Sequence, residues 1–289
     1  MVHFLGYILF RIVVWIVSVL PFSVLYVLSD IFSFLMINII RYRKKVILDN
    51  LRHSFPDKNE AEIQALCNQF YRHLSDIILE TIKGITISEK KLRERMIFLN
   101  PELLNQVTAK GGNLLLCGGH YNNWEWATFA AGLHLVPHVV GIYKTLSNKY
   151  INDYYMRQRT RFGTDLLEMR GVLQTIEATP NQATMYVFIN DQAPFKKNLA
   201  HYVQFLHRQT AFISGLDKIA HLTKLPIYFY HIKYIRRGYY EATFSLLCED
   251  PAAMAPEEIT QRYAATLERD ILQAPQHWLW SHKRWKELK

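Results

Sequence analysis

The chain has 289 residues, half of them hydrophobic, which suffices for one large domain or two small ones around a real core. Lys and Arg outnumber Asp and Glu by 34 to 25, a formal charge of +9 that favours anionic partners: nucleic acid, an anionic membrane face, or phosphorylated and acidic substrates. Cys67, Cys117 and Cys248 are far apart and outside CxxC pairs, which argues against a disulfide framework or a thiolate zinc site. No linker-like tract or internal repeat divides the chain.

Residues 12–29 carry no charge, and after Asp30 a second uncharged run reaches Ile40. About 18 apolar residues span a hydrocarbon core as a helix. Residues 1–40 are therefore expected to form a hydrophobic membrane-anchor helix, and 41–289 the main domain. Pro21 either kinks that helix or separates two short ones. No small-residue cleavage site ends the run, as a removed signal peptide would require. Arg41-Tyr42-Arg43-Lys44-Lys45 follows directly, and basic flanks of this kind keep to the cytoplasm and bind anionic lipid head groups.

Helical spacing runs over 59–83, with Ile63, Leu66, Phe70, Leu74 and Ile77 on one side. A short helix is predicted over 101–110, then a buried strand over 113–117 that Gly118 and Gly119 break. A helix follows just after His120. Strands are predicted over 137–143 and 183–189, with a basic helix between them over 147–162. A helix over 210–224 comes next. A hairpin joins strands 226–235 and 239–247 through Arg236-Arg237-Gly238, and an amphipathic helix covers 256–272. Strands alternating with helices, with one antiparallel hairpin, imply an α/β fold with a mixed central sheet flanked by helices.

The stretch Gly118-Gly119-His120-Tyr121-Asn122-Asn123-Trp124-Glu125 carries the chemistry. On one continuous helix, His120 and Glu125 would point well apart. They meet if His120 lies on the loop before the helix, with Asn122 or Asn123 near the N-cap and Glu125 in the first turn. A carboxylate accepting from Nδ1 would fix the imidazole tautomer and leave Nε2 to take a hydroxyl proton, which is general-base chemistry. The two glycines are expected to clear room for a long substrate. An isolated HxxxxE is short enough to arise by chance; its place at a strand end after two glycines gives it weight. No HExxH, GxSxG, P-loop or GxGxxG accompanies it, so no metal or cofactor is expected, nor a nucleotide. No nucleic-acid-binding signature accompanies the basic balance either, and no nucleic-acid partner is expected.

These residues, taken in order, resemble the lipid A biosynthesis acyltransferase family, the late lauroyl/myristoyl transferases, within the lysophospholipid and glycerolipid acyltransferase superfamily. The likeness covers nearly the whole chain. It takes in the apolar amino terminus, His120 to Glu125 as the HxxxxD/E motif, Ile142-Tyr143-Lys144, and the arginine-rich run from Arg157 to Gly163. It continues through the Asp191-Gln192 pair, the segment from Phe205 to Gly215, and the tryptophan-rich end with Trp278, Trp280 and Trp285. Two departures, Ala193-Pro194-Phe195-Lys196-Lys197-Asn198 after the Asp-Gln pair and Phe205-Leu206-His207 for the family's FFG, leave the acceptor open.

The resemblance implies transfer of a fatty acyl chain to a hydroxyl of a lipid acceptor with an anionic head group, a lipid A precursor first of all. Acyl carrier protein, or less readily acyl-CoA, would be the donor substrate, at the cytoplasmic side of a bacterial inner membrane. His120 would be the base and Glu125 its partner. Arg159 or Arg161, or else backbone N–H groups at the helix start, would serve the oxyanion, while Arg170, Asp191 and Gln192 would bind substrate. A lysophospholipid or aminolipid O-acyltransferase, or a membrane-tethered lipid-binding protein without catalysis, are the other readings.

Overall fold

In the computed structural model, residues 2–145, 148–179 and 182–287 are described. The amino-terminal apolar region forms two helices, α1 (Val2–Val19) and α2 (Phe22–Phe34), the latter continued by a π turn, Leu35–Ile39. Pro21, lacking an N–H, is the break between them. The stretch Phe22–Ile39 is long and apolar enough to cross a membrane by length and composition, and only 22% of it is buried. On its inner side it lies along a long helix of the main domain through Tyr26 Oη to Glu80 (2.8 Å) and Ser29 Oγ to Asp76 (2.6 Å).

The helical elements that follow are α3 (Lys44–Ser54), α4 (Glu60–Lys83), α5 (Glu89–Arg95) and α6 (Glu102–Thr108), with the short strand β1 (Met96–Phe98) between the last two. Asn59 starts α4 with a full capping box: its side chain accepts from the Glu62 N–H while Glu62 accepts from the Asn59 N–H. Next come β2 (Leu114–Gly118), α7 (Trp124–His134), β3 (His138–Tyr143), α8 (Lys149–Arg159), β4 (Thr164–Glu168), α9 (Val172–Ala178) and β5 (Thr184–Ile189). The expected start of the basic helix at Ser147 lies outside the described residues.

The last third holds β6 (Ala200–Phe205), β7 (Arg208–Ile213), α10 (Gly215–Thr223), β8 (Ile227–Arg236), β9 (Tyr239–Cys248) and α11 (Glu258–Gln273). The helix expected over 210–224 is thus shorter: its first residues belong to β7, paired antiparallel with β6. Thr210 and Phe212 are buried while Gln209 is exposed, the period-2 pattern of a half-buried strand.

The main sheet has seven strands in the order β1-β9-β8-β2-β5-β3-β4. All neighbours are parallel except β8 and β9, so the α/β fold with a mixed sheet is as expected. Strand β2 is fully buried. Leu115 and Cys117 face one core with α4, α11 and the terminal tryptophans, and Leu114 and Leu116 face the other with Trp126 and Phe129 of α7. A strand covered on both faces must be apolar throughout, which is what 114–117 reads as.

Candidate active site

Parallel pairing of β2 with β5 sets Gly118 opposite Ile189. Carried two residues further, the same register brings His120 beside Asp191. The contact is double: His120 Nδ1 lies 2.6 Å from Asp191 Oδ1, and the His120 backbone N–H donates to Oδ2 at 2.9 Å. Trp278 Nε1 donates to the same Oδ2 at 2.8 Å. Burial alone would raise the Asp191 pKa. The charge of His120 and the hydrogen bonds from its ring, from Trp278 and from the His120 N–H outweigh burial and hold the carboxyl at about 2.

Asp191 therefore occupies the place expected for Glu125. Asn123 is the N-cap of α7, accepting from the Trp126 N–H at 2.8 Å, and Glu125 does lie in the first turn. Its carboxylate points to α8, where Oε2 accepts from Arg159 Nε at 3.1 Å and Oε1 from Arg159 Nη2 at 2.5 Å and Tyr155 Oη at 2.6 Å. The physical reason is pairing strength. A buried carboxylate that takes a two-pronged guanidinium and a phenol is better satisfied than one facing a single imidazole nitrogen already served by Asp191. Burial would raise the Glu125 pKa; Arg159 and then Tyr155 overcome it and leave it lowered.

The glycines have a packing role different from the expected one. A Cβ on Gly118 would run into the Tyr230 ring, and one on Gly119 would come within 2.6 Å of Leu267. They let β8 and α11 close on the strand end.

The other expected residues divide. Gln192 is beside His120, its Nε2 3.4 Å from His120 Nε2, a contact at the long limit of hydrogen bonding. Arg161 donates to the carbonyls of Gly84 (3.0 Å) and Ile85 (2.8 Å), so it ties α8 to the end of α4 and is not gathered with His120. Arg170 is exposed on a 3-10 turn, away from that group, as is Arg157 on α8. Trp278 and Trp280 are buried in the core and pack edge to face.

Sequence reading missed Glu80. Fully buried on α4, it accepts from Tyr26, Tyr240 and Asn123 through its carboxylate and from Trp126 Nε1 through its backbone carbonyl. It thereby fixes the N-cap of α7 that follows the His120 loop. Burial first, then nearby Asp76, push its pKa up to about 7 despite those bonds.

Two spaces are lined by neighbours of His120. Trp124, whose ring stands edge-on to the imidazole at 5.2 Å, and Arg159 line a narrow apolar slot that runs between α7 and the sheet past Ala131, Val187 and Tyr230. Gln192 lines an open groove on the other side, walled by Phe32 and Met36 of the amino-terminal helix, Leu74 and Ile78 of α4, and His282. A histidine with Nδ1 fixed by a carboxylate, with an apolar slot and an open groove lined by its neighbours, has the parts that acyl transfer requires. Among the described residues no group of three or more metal-ligating side chains is close enough to hold a metal.

A model of the bacterial lipid A biosynthesis acyltransferase family matches residues 2–287, and the chain belongs to that family. It is an enzyme that transfers acyl groups, and its acceptor is a lipid. Its relatives are distant. The lipid A biosynthesis lauroyltransferase of Escherichia coli K12 is 21% identical over 280 residues, covering 95% of this chain and 89% of that one. A lipid A biosynthesis acyltransferase of Haemophilus influenzae is 22% identical over 239 residues, covering 80% and 72%.

Proposed function

We propose that the protein moves a fatty acyl chain from acyl carrier protein to a hydroxyl of a lipid A precursor, at the cytoplasmic face of a bacterial inner membrane. His120 is the base and Asp191 its positioning partner. The observation that carries this reading is the doubly bonded His120–Asp191 pair, which directs the free Nε2 towards Gln192 and the groove.

The chemistry balances at Nε2. The acceptor hydroxyl gives its proton to Nε2 while its oxygen attacks the thioester carbonyl. The tetrahedral intermediate collapses, the C–S bond breaks, and the departing thiolate takes the proton back from the imidazolium. Asp191 holds the tautomer that leaves Nε2 unprotonated and supports the imidazolium once formed. Arg159 is the oxyanion partner of choice: it lines the slot beside Trp124, and its Nη1 makes no hydrogen bond while Glu125 clamps Nε and Nη2. Glu125 acts through Arg159 as a positioning residue.

The slot suits the acyl chain. Its free volume is about 50 Å³, far below the roughly 300–1,000 Å³ of ready-made ligand pockets, so a chain enters by parting side chains and the fit discriminates among lengths. Residues 1–40 serve as the anchor. Their outward faces expose Ile12, Val13, Trp15, Ile16, Ile31 and Phe34, and the basic run from Arg41 to Lys45 follows on what would be the cytoplasmic side. The surplus of positive charge favours an acidic carrier protein as donor.

The test is transfer of labelled acyl groups from acyl carrier protein and from acyl-CoA to a panel holding a lipid A precursor, a lysophospholipid and an aminolipid. The expected result is transfer to the lipid A precursor from the carrier protein, abolished in His120→Ala at unchanged folding. Full activity in His120→Ala would overturn the mechanism. Transfer confined to a lysophospholipid or aminolipid would overturn the acceptor.

A further inference from the structure

Ten buried side-chain nitrogen or oxygen atoms among the described residues lack a hydrogen-bond partner. Three of the residues that carry them, Ser33 (Oγ), His73 (Nε2) and His277 (Nδ1), line one cavity, and each is more than nine-tenths buried. A buried polar group left unpaired carries its whole desolvation penalty, and a turn of each of these three side chains toward the space they share, where a polar ligand would sit, relieves it. The cavity measures about 810 Å³. It lies between the α2–π-turn helix, α4, the end of β8 and the segment after α11. His120, Asp191 and Gln192 do not line it.

Its walls state the chemistry. Asp30 and Asp76 are both consumed by Arg237, which bonds to each. Arg72, exposed on α4, makes no hydrogen bond or ion pair among the described residues and is the one uncommitted charge among those that line the cavity. Gln69 and Gln276 also offer amides that no side chain or backbone group among the described residues takes up. The imidazoles of His73 and His277 lie 4.4 Å apart, and Tyr234 lies 5.1 Å from His277, which makes a wall of flat rings. One cation, several neutral donors and acceptors and a ring wall match a phosphate joined to a hydroxyl-rich group. The remaining wall names the source. Phe34 and Ile37 close it, on the helix that exposes Ile31, Ile39 and Ile40 outward. A head group seated here would keep its chains beside that apolar face.

We propose that this cavity is a second lipid site, which binds the phosphorylated polyol head group of a membrane lipid apart from the centre of acyl transfer. The test uses full-length protein carrying His120→Ala, so that turnover does not consume the ligand, in phosphatidylcholine nanodiscs. Phosphatidylglycerol is titrated into the discs, and the ring resonances of His73 and His277 are followed by NMR. Saturable shifts of both rings are expected. Binding should weaken about tenfold in Arg72→Ala and severalfold in Gln276→Leu, both with unchanged melting. Glycerol 3-phosphate and inorganic phosphate should shift the same rings only at far higher concentration. The proposal is overturned if phosphatidylglycerol moves neither ring, if Arg72→Ala and Gln276→Leu bind as the parent does, or if glycerol 3-phosphate binds as tightly as the lipid. Because the readout is binding by an inactive variant, a failure here is distinguishable from a failure of the acyl-transfer reading.

Discussion

Asp191 accepts from His120 twice, once from the ring at Nδ1 and once from the backbone N–H, so one carboxylate fixes both the tautomer of the imidazole and the loop that carries it. Asp191→Asn leaves an amide that can put its NH₂ toward Nδ1 and select the wrong tautomer. Transfer should fall roughly 10²–10⁴-fold, the worth of a positioned base. The rising, acid-side limb of the pH profile, where the base becomes deprotonated, should move with it, which a merely structural residue would not cause. Steady-state rates across pH, with circular dichroism to confirm folding, check this. Wild-type kcat in Asp191→Asn would remove Asp191 from the mechanism.

Glu125 and Arg159 form a buried pair, and its members should behave differently alone and together. Arg159→Leu leaves Glu125 charged and without its clamp, at a cost of about 3–5 kcal/mol of stability. Glu125→Gln strands the guanidinium similarly. The double variant Glu125→Gln/Arg159→Leu should recover much of the loss in stability but none of the loss in transfer, since Arg159 is the group proposed to meet the oxyanion. A denaturation double-mutant cycle run beside activity assays separates the two effects. Strictly additive losses would mean that the pair is not coupled as the geometry indicates.

Acid should expose the Asp191 network. Its folded pKa of about 2 lies below the ordinary 3.8, so its contribution is fully present above about pH 4 and is lost as pH falls toward 2, on the order of 2 kcal/mol. Trp278→Phe removes one of the bonds that hold the carboxyl ionised and should move acid unfolding to higher pH. Glu80 has the opposite sign. Its folded pKa of about 7 lies above the ordinary 4.5, so its contribution is greatest below about pH 4.5 and declines as pH rises through 7. Glu80→Gln should flatten stability over that upper window. Stability curves from urea titrations at several pH values test both; an unchanged slope in Glu80→Gln would contradict the second.

What the sequence made legible follows from which signals are local. The apolar run at 114–117, the two glycines and the hairpin at Arg236-Arg237-Gly238 are patterns within a few residues, and each sits where it was expected. The β6–β7 hairpin was missed because its turn residues, Leu206 and His207, both take positive φ (50° and 62°) without the Gly or Asn that normally marks such a turn. The His120–Asp191 pair was missed for a different reason. Glu125 is five residues from His120, whereas Asp191 reaches it only through the register of two strands about 70 residues apart. Nothing in the spacing of Glu80 on α4 distinguishes it from a solvent-facing acid; its role comes from Tyr26, Asn123 and Tyr240 converging on it.

The glycines before His120 give a last prediction, since their neighbours differ in how far they can yield. A methyl on Gly118 meets the ring of Tyr230, which is buried and also lines the apolar slot. A methyl on Gly119 meets the end of Leu267, a flexible side chain at 2.6 Å. Gly118→Ala should therefore cost about 1–3 kcal/mol through overpacking, and Gly119→Ala less. Because Tyr230 lines the slot, a ring displaced by the added methyl alters the slot's wall, so Gly118→Ala should also shift the preferred acyl length, while Gly119→Ala keeps the parent preference. Thermal melts rank the stabilities, and competition between acyl donors of different length reads the preference. A Gly118→Ala protein that is destabilised yet keeps the parent chain preference would mean that the slot beside Tyr230 does not hold the acyl chain.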